Sequence, residues 1–435
     1  MRSVPPVKEP PPEQPEERPP DDLTGEPPTP WGDLADAART YWARTEPARV
    51  NLARWYANFR ERTRWTDIPL ILALGVRVAL FAVASVAARF FVPNGFAGNL
   101  NIWNRWDALW YISIATDGYT YAPHAQTSVV FYPVLPLLLL ILHYPFSFLP
   151  FNSYLVAGML ISWVSFLAAC CVLYRITRDR FGQATAYGAV LLLATFPFSL
   201  FYGAAYTESL FLLLALLAFY AIERQRWGLA ASMALIAGAT RPTGVFVGVC
   251  VIAAYALDWY QTKHPLRRDI LWLALVPLGT LAYLIYNYFQ WGDFFAPMHV
   301  SEANWRRGAL RWDGLGQGIY LLTHPDTWLN GTDFKPLLFG IYSVLALLFL
   351  ISLPFVWRKL GPIYTLYAVL AILVPIVTDD VMVSVGRYLS VVFPTFIVLA
   401  HALRERPAPR DALAVGGAIF LSLFTIMFVL NFEVY

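Results

Sequence analysis

YPVLPLLLLILHYPFSFLP, residues 132–150, is the stretch on which the topology of this chain turns. Its unbroken apolar core runs only from Leu137 to Leu142, with Pro133, Pro136, Pro145 and Pro150 around it and His143 at its end. A membrane span takes about 20 apolar residues, and each proline removes a backbone donor that lipid cannot replace. The segment therefore reads as a re-entrant or interface helix and not as a span.

On the same criterion, spans are expected near 68–91, 154–174, 184–202, 206–222, 229–241, 244–258, 270–289, 337–356, 362–378, 388–403 and 412–432, eleven in all. Charge sorting tests this count, because short cytoplasmic loops collect Lys and Arg. With the N-terminus inside and 132–150 not spanning, the inner loops hold Arg175, Arg178, Arg180, Arg224, Arg226, Lys263, Arg267, Arg268, Arg358, Lys359, Arg404, Arg406 and Arg410. Arg105, Arg241, Arg306, Arg307, Arg311, Lys335 and Arg387 fall outside, spread over longer loops (93–153 and 290–336 the largest). Turning 132–150 into a span would reverse every later loop and put the denser set of cations outside, so the eleven-span arrangement is preferred.

Composition agrees with repeated membrane crossing: 58% of the 435 residues are hydrophobic, 14% are charged, and the mean hydropathy is +0.50. These values exclude an ordinary soluble domain. A formal charge of +3 is too small to argue for a nucleic-acid partner. Cys170, Cys171 and Cys250 lie in apolar runs and read as small buried hydrophobes. Eleven of the first thirty residues are proline, interleaved with Asp and Glu, so 1–30 reads as a disordered cytoplasmic tail with no secretory signal. Residues 31–67 set Trp42, Trp55, Tyr56 and Phe59 among seven arginines, an amphipathic pattern that suits a solvated helix or the surface of an anionic membrane. The whole is an all-α polytopic membrane protein whose membrane domain covers 68–435, with interface helices in the first outer loop.

The polar clusters that are hard to explain as structure all fall on the outer side in this topology. They are Trp106-Asp107 with Asp117 and Tyr119, Tyr202 to Ser209 with Tyr206 and Glu208, the turn at Arg241, the loop 290–336, and Asp379 to Tyr388 with Ser384 and Arg387. An ionisable group at membrane depth costs roughly 2.5–3.5 kcal/mol on insertion scales, so each calls for a partner or a task. Structural alternatives exist for each. Asp107 suits the cap of an amphipathic helix whose Leu109, Trp110, Ile112 and Ile114 meet the interface, Glu208 suits a helix dipole, and Arg241 or Arg387 can snorkel or pair with Glu208 or Asp379. No metal-ligand spacing, Gly-rich phosphate loop or Ser-His-Asp set is visible, so neither metal nor cofactor is expected.

Five segments in order carry a resemblance: WNRWDALWYISIATDGY (103–119), FYPVLPLLLLIL (131–142), FPFSLFYGAAYTESLFLLLALLAFYAIER (196–224), ATRPTGV (239–245) and SVGRYLSVVFPTF (384–396). Together they resemble the PIG-V-type mannosyltransferases, the family of the second mannosyltransferase of GPI-anchor assembly, and its prokaryotic relatives. The resemblance implies a GT-C membrane glycosyltransferase that takes sugar from a polyprenyl-phosphate carrier and acts on a lipid or glycan acceptor, with its acidic catalytic residue in the first outer loop. The Pro-rich extension departs from the family pattern and puts a GPI acceptor in question.

The residues allow that chemistry on their own terms. Asp107, among Trp103, Trp106 and Trp110, is the candidate base for an acceptor hydroxyl. Arg241 and Arg387, with Tyr388, are candidates for the donor phosphate, whose charge a planar guanidinium meets bidentately. Trp106, Trp110, Asp117, Tyr119, Tyr206, Glu208 and Ser384 are candidate substrate contacts. The rival readings are a GT-C enzyme for another sugar, and a lipid transporter or flippase in which Arg77, Glu208 and Arg241 line a substrate path.

Overall fold

The computed structural model describes residues 64–91, 100–263, 268–305, 313–324, 326, 335–378 and 384–434. The expected tail at 1–30, the amphipathic segment at 31–67 up to residue 63, Arg306, Arg307, Arg311 and Asp379 lie outside the described residues. Among those described there is no strand. In chain order the helices are α1 (Asp67–Phe91), α2 (Asp107–Asp117), α3 (Val134–Leu142), α4 (Ser153–Phe181), α5 (Gln183–Ala194), α6 (Glu208–Ile222), α7 (Trp227–Gly238) and α8 (Gly244–Thr262). There follow α9 (Leu278–Trp291), α10 (Ala296–Trp305), α11 (Asp313–Thr323), α12 (Lys335–Leu360), α13 (Pro362–Thr378), α14 (Val385–Ser390), α15 (Phe393–Ala402) and α16 (Pro407–Val429).

Every one of the eleven expected segments is helical, but they differ in length. Six are long and apolar enough to cross a membrane, counting 268–291 as one, and five are shorter apolar helices. Proline explains much of the difference. The expected 184–202 segment is α5 followed by a 3-10 turn at Pro197–Tyr202, because Pro197 has no amide to donate and holds Phe196 extended at φ −58, ψ 137. Pro277 likewise separates the 3-10 turn Arg268–Leu275 from α9, and Pro394 opens α15 after the short α14. The segment at 132–150 contains the nine residues of α3 and a 3-10 turn at Tyr144–Phe146; α3 is about 14 Å of helix at 1.5 Å per residue, which is less than half of a hydrocarbon core. It buries Leu135 and Leu139 and exposes Leu137, Leu140 and Ile141, the two-faced pattern of an interface helix.

Ordinary helix chemistry fixes the ends of the longer elements. Asn152 accepts the Leu155 amide at 3.2 Å to start α4, while Arg178 and Arg180 lie in its last turn, where cations meet the carbonyl end of the dipole. Helix α4 packs on α5 and α6, α6 on α7, and α7 on α8, with α1 laid across α4, α5 and α16. Large apolar side chains such as Ile71, Phe90, Leu348, Ile351 and Ile419 remain exposed on the outside of the bundle, as lipid-facing residues do in a multi-pass membrane protein. Cys170, Cys171 and Cys250 are unpaired, the first and last of them buried.

The two ends of α6 separate two charged regions. Just past its last turn, Tyr364 donates to Glu223 at 2.7 Å, while Arg224 and Arg175 hold Asp179 at 3.1 and 2.9 Å. At its first residue stands Glu208, about 22 Å away along fifteen residues of helix. The functional candidates gather at that second end.

Candidate active site

The segment before α2 reaches the bundle through Arg105. Tyr206 donates its hydroxyl to the Arg105 carbonyl at 3.1 Å, and Arg105 donates to the Val429 carbonyl at the end of α16 at 3.3 Å. Between them Trp106 adopts φ 45, ψ −111, a conformation that costs a residue with a side chain about 1–3 kcal/mol and persists only where packing dictates it. Its ring packs on Phe428 at 5.0 Å. This bend delivers Asp107 as the first residue of α2. No side-chain hydrogen bond caps that helix, so Asp107 does not serve there as its cap.

Asp107 instead meets α14. Arg387 Nη2 lies 2.6 Å from Asp107 Oδ2 and 2.8 Å from Glu208 Oε1, and Arg387 Nε donates to that same Glu208 oxygen at 2.9 Å. Arg241 Nη1 lies 3.1 Å from Glu208 Oε1. The four charges sum to zero, and Glu208, Arg241 and Arg387 are all buried. Aromatic faces complete the surroundings of the cations: Tyr206 and Phe201 each 5.0 Å from the Arg387 guanidinium, Tyr388 5.3 Å from that of Arg241. Two groups are left without an aligned partner among the described residues, Glu208 Oε2 and Arg241 Nη1.

Two glycines permit this convergence. A Cβ on Gly244 would stand 2.0 Å from the Ala237 carbonyl oxygen, so only glycine lets α7 and α8 close to the tight turn that carries Arg241. A Cβ on Gly386 would meet the Phe198 ring at 2.5 Å. That contact seats α14 on the 3-10 turn and sets Arg387 beside Glu208.

The charged cluster opens on a cavity of about 780 Å³. Asp107, Arg241, Arg387, Tyr388, Ser384, Trp106 and Trp110 line it, together with Tyr111, Thr207, Thr243, Phe246, Asn304, Trp305 and Glu433. Tyr111 hydrogen-bonds Thr207 at 3.3 Å, and burial, with the Asp107 charge adding to it, pushes its phenol above the ordinary value and keeps it a hydroxyl. Helix α10 forms part of the wall. It is fastened by Asp293, which accepts from Tyr121 at 2.8 Å and pairs with His299 at 2.9 Å. Burial works against the Asp293 carboxylate, but those hydrogen bonds outweigh it and hold its pKa below the usual range. Among the described residues no three His, Cys, Asp or Glu side chains converge as metal ligands.

Several expected residues are placed elsewhere. Tyr206 and Glu208 lie behind the arginines and do not line the cavity. Tyr119 donates to the Phe131 carbonyl at 2.9 Å amid Tyr283, Tyr286 and Trp291, and Asp117 is an exposed residue at the end of α2 bonded by Thr116. Neither reaches the cavity, because α2 carries them two turns and more beyond Asp107. Trp103 is packed between Phe81 and Phe428, away from the carboxylate, and Ile112 and Ile114 face the bundle instead of the membrane interface. Arg77 is not joined to Glu208; it donates to Ser199 and Ala194. Thr243 lay within the ATRPTGV segment without being named as a contact, and Trp305 and Glu433 carried no local signal in the sequence.

The fold and site together are those of a multi-pass, all-helical membrane protein with a polar cavity where its helices end. The family model of the Mannosyltransferase (PIG-V) group matches residues 71–307, and the chain belongs to that glycosyltransferase family. No curated protein matches it. Among solved structures it is similar to the Archaeoglobus fulgidus oligosaccharyltransferase in complex with zinc and sulfate, at 14% identity and a TM-score of 0.43, over 83% of this chain and 53% of that one. The archaeal oligosaccharyltransferase from the same organism, in complex with an inhibitory peptide and a dolichol-phosphate, gives 16% identity and a TM-score of 0.41, over 85% and 56%. The chain spans about half the length of these structures.

Proposed function

We propose that this protein transfers a mannosyl residue from a polyprenyl-phosphate carrier to a hydroxyl of a lipid or glycan acceptor, with inversion, on the extracytoplasmic side of the membrane. The observation that carries the reading is the meeting of Asp107 with Arg387 and Arg241 in one wall of a cavity. In the reaction the acceptor oxygen bonds to the anomeric carbon and its proton passes to Asp107. The bond from that carbon to the phosphate oxygen breaks, and polyprenyl phosphate leaves with the electron pair. Arg387 orients the Asp107 carboxylate through Oδ2, and Asp107 lines the cavity. Arg241, whose Nη1 lacks an aligned acceptor, meets the phosphate as its charge grows, helped by Arg387 and the Tyr388 face. Glu208 holds the two guanidinium groups together. Family membership supports the sugar, and the charge sorting of the loops supports the side.

The test is transfer from farnesyl-phosphate mannose to a membrane-impermeant mannoside by the protein in sealed right-side-out vesicles. Wild type should form product outside. Asp107→Asn keeps the side-chain size and should lower turnover by about 10²–10⁴-fold, the usual loss for a general base, with thermal stability near wild type. A stable variant that keeps its turnover removes Asp107 as the base. Product found only with inside-out vesicles reverses the orientation.

A further inference from the structure

Asp107 and Trp110 stand one turn apart on α2, and Trp110 belongs to an aromatic cluster that the charged network does not use. Trp110 stacks on Phe131 with centroids 5.8 Å apart, and Trp305 of α10 packs edge-on to both, at 6.0 and 5.7 Å. All three line the cavity. The Trp305 indole N–H is buried and has no hydrogen-bond partner among the described residues. A buried indole donor in a cavity wall is suited to an acceptor on a bound molecule.

The charges of the wall are unevenly shared. Its cations among the described residues are Arg241 and Arg387, and Arg387 bonds Asp107 itself. The aromatic cluster lies one helical turn from Asp107, a rise of about 4.5 Å, and brings no cation of its own. The polar residues beside Trp305 on α10 are Ser301 and Asn304, which also line the cavity; the Asn304 amide nitrogen donates to the Pro123 carbonyl at 3.0 Å, while Glu433 of the same cavity is paired with Lys335. Apolar faces with hydroxyl-seeking donors and acceptors at their edge match a neutral sugar ring, whose C–H face stacks and whose hydroxyls give and take hydrogen bonds. They do not match a phosphate.

We propose that Trp110, Phe131 and Trp305 form an acceptor subsite that takes a neutral glycosyl ring, with the Trp305 N–H donating to one of its oxygens. This rests on the reading of Asp107 as the base, since it places the accepting hydroxyl next to that carboxylate and the donor phosphate on the side of Arg241. It divides the cavity between a phosphate half and a sugar half.

Binding tests the subsite without turnover. Methyl α-mannoside is titrated against the full-length protein in nanodiscs by saturation-transfer NMR, and inorganic phosphate by ³¹P line broadening. Trp305→Phe keeps a ring and loses the donor, so the mannoside Kd should rise about fivefold, the worth of one hydrogen bond. Trp305→Ala should raise it by about tenfold or more, as the stacking face goes too. Phosphate broadening should stay as in wild type for both and fall in Arg241→Gln. Unchanged mannoside affinity in Trp305→Ala, no mannoside binding to wild type, or a loss of phosphate binding in the Trp305 variants overturns the subsite. Failure of transfer by wild type, or full turnover by Asp107→Asn, would instead count against the proposed reaction.

Discussion

Arg77 and the pair Arg241 and Arg387 are buried alike, at 2%, 6% and 7% exposure, and are used differently. Arg77 comes from the middle of α1 and donates to the carbonyls of Ala194 and Ser199 and to the Ser199 hydroxyl, its guanidinium 4.9 Å from the Phe166 ring centroid. Ala194 is the last residue of α5, so Arg77, together with the Ser199 hydroxyl, satisfies a carbonyl that the proline-broken helix leaves open and meets the negative end of its dipole. Arg241 and Arg387 face carboxylates and a cavity. A buried cation is therefore no mark of function by itself. What separates the two regions is that uncharged oxygens of Ala194 and Ser199 take up Arg77, whereas the pair faces the carboxylates of Glu208 and Asp107 and borders open space.

The sharpest way to break this comparison is to remove the anion of the pair. Glu208→Gln removes the carboxylate that Arg241 and Arg387 share and leaves Arg387 with Asp107, and loss of one partner from a buried ion pair costs about 3–5 kcal/mol. Thermal unfolding in detergent should show a large drop, and transfer should fall with it. A variant as stable as wild type would mean that Glu208 is dispensable to both cations.

Arg77→Met should have a smaller effect and a different character. The Ser199 carbonyl loses its Arg77 donor and the Ala194 carbonyl keeps only the Ser199 hydroxyl, at about 1–3 kcal/mol, so the melting temperature falls, but transfer per folded molecule is unchanged. A fall in turnover without a fall in stability would move Arg77 from the structural group to the reacting one. Smallest is Tyr119→Phe, which removes a hydroxyl already matched by the Phe131 carbonyl. Stability should drop by about 1 kcal/mol with substrate KM unchanged, and a raised KM would put Tyr119 back among the substrate contacts.

The helical segments were legible because lipid demands long apolar runs, and α3 was legible as a short one because prolines frame it. Asp107, Glu208, Arg241 and Arg387 stood out for the same reason: each is an ionisable residue at the edge of an apolar stretch. Residues whose neighbours come from far along the chain were not legible. Trp305 and Glu433 carry no local pattern, and they reach the cavity through α10 and the turn after α16. Proline breaks at 197 and 394 were visible as prolines, yet hydropathy ran straight through them, so α5 and α15 were expected longer than they are. Tyr119 looked like Tyr206 in the sequence, and only packing distinguishes a strut from a residue beneath the arginines.

Gly244 and Gly386 also set limits on how this chain can vary. In most helical bundles a small-to-large change widens a gap or shifts a lipid-facing surface, and the fold absorbs it. Here a side chain at Gly244 pushes on the Ala237 carbonyl and one at Gly386 on the Phe198 ring, and Arg241 and Arg387 lie within three residues of them. Drift at these two sites would therefore surface first as lost activity in a protein that still inserts and packs, so a population of homologous chains should tolerate change in the core near Leu212 or Ala346 sooner than at either glycine.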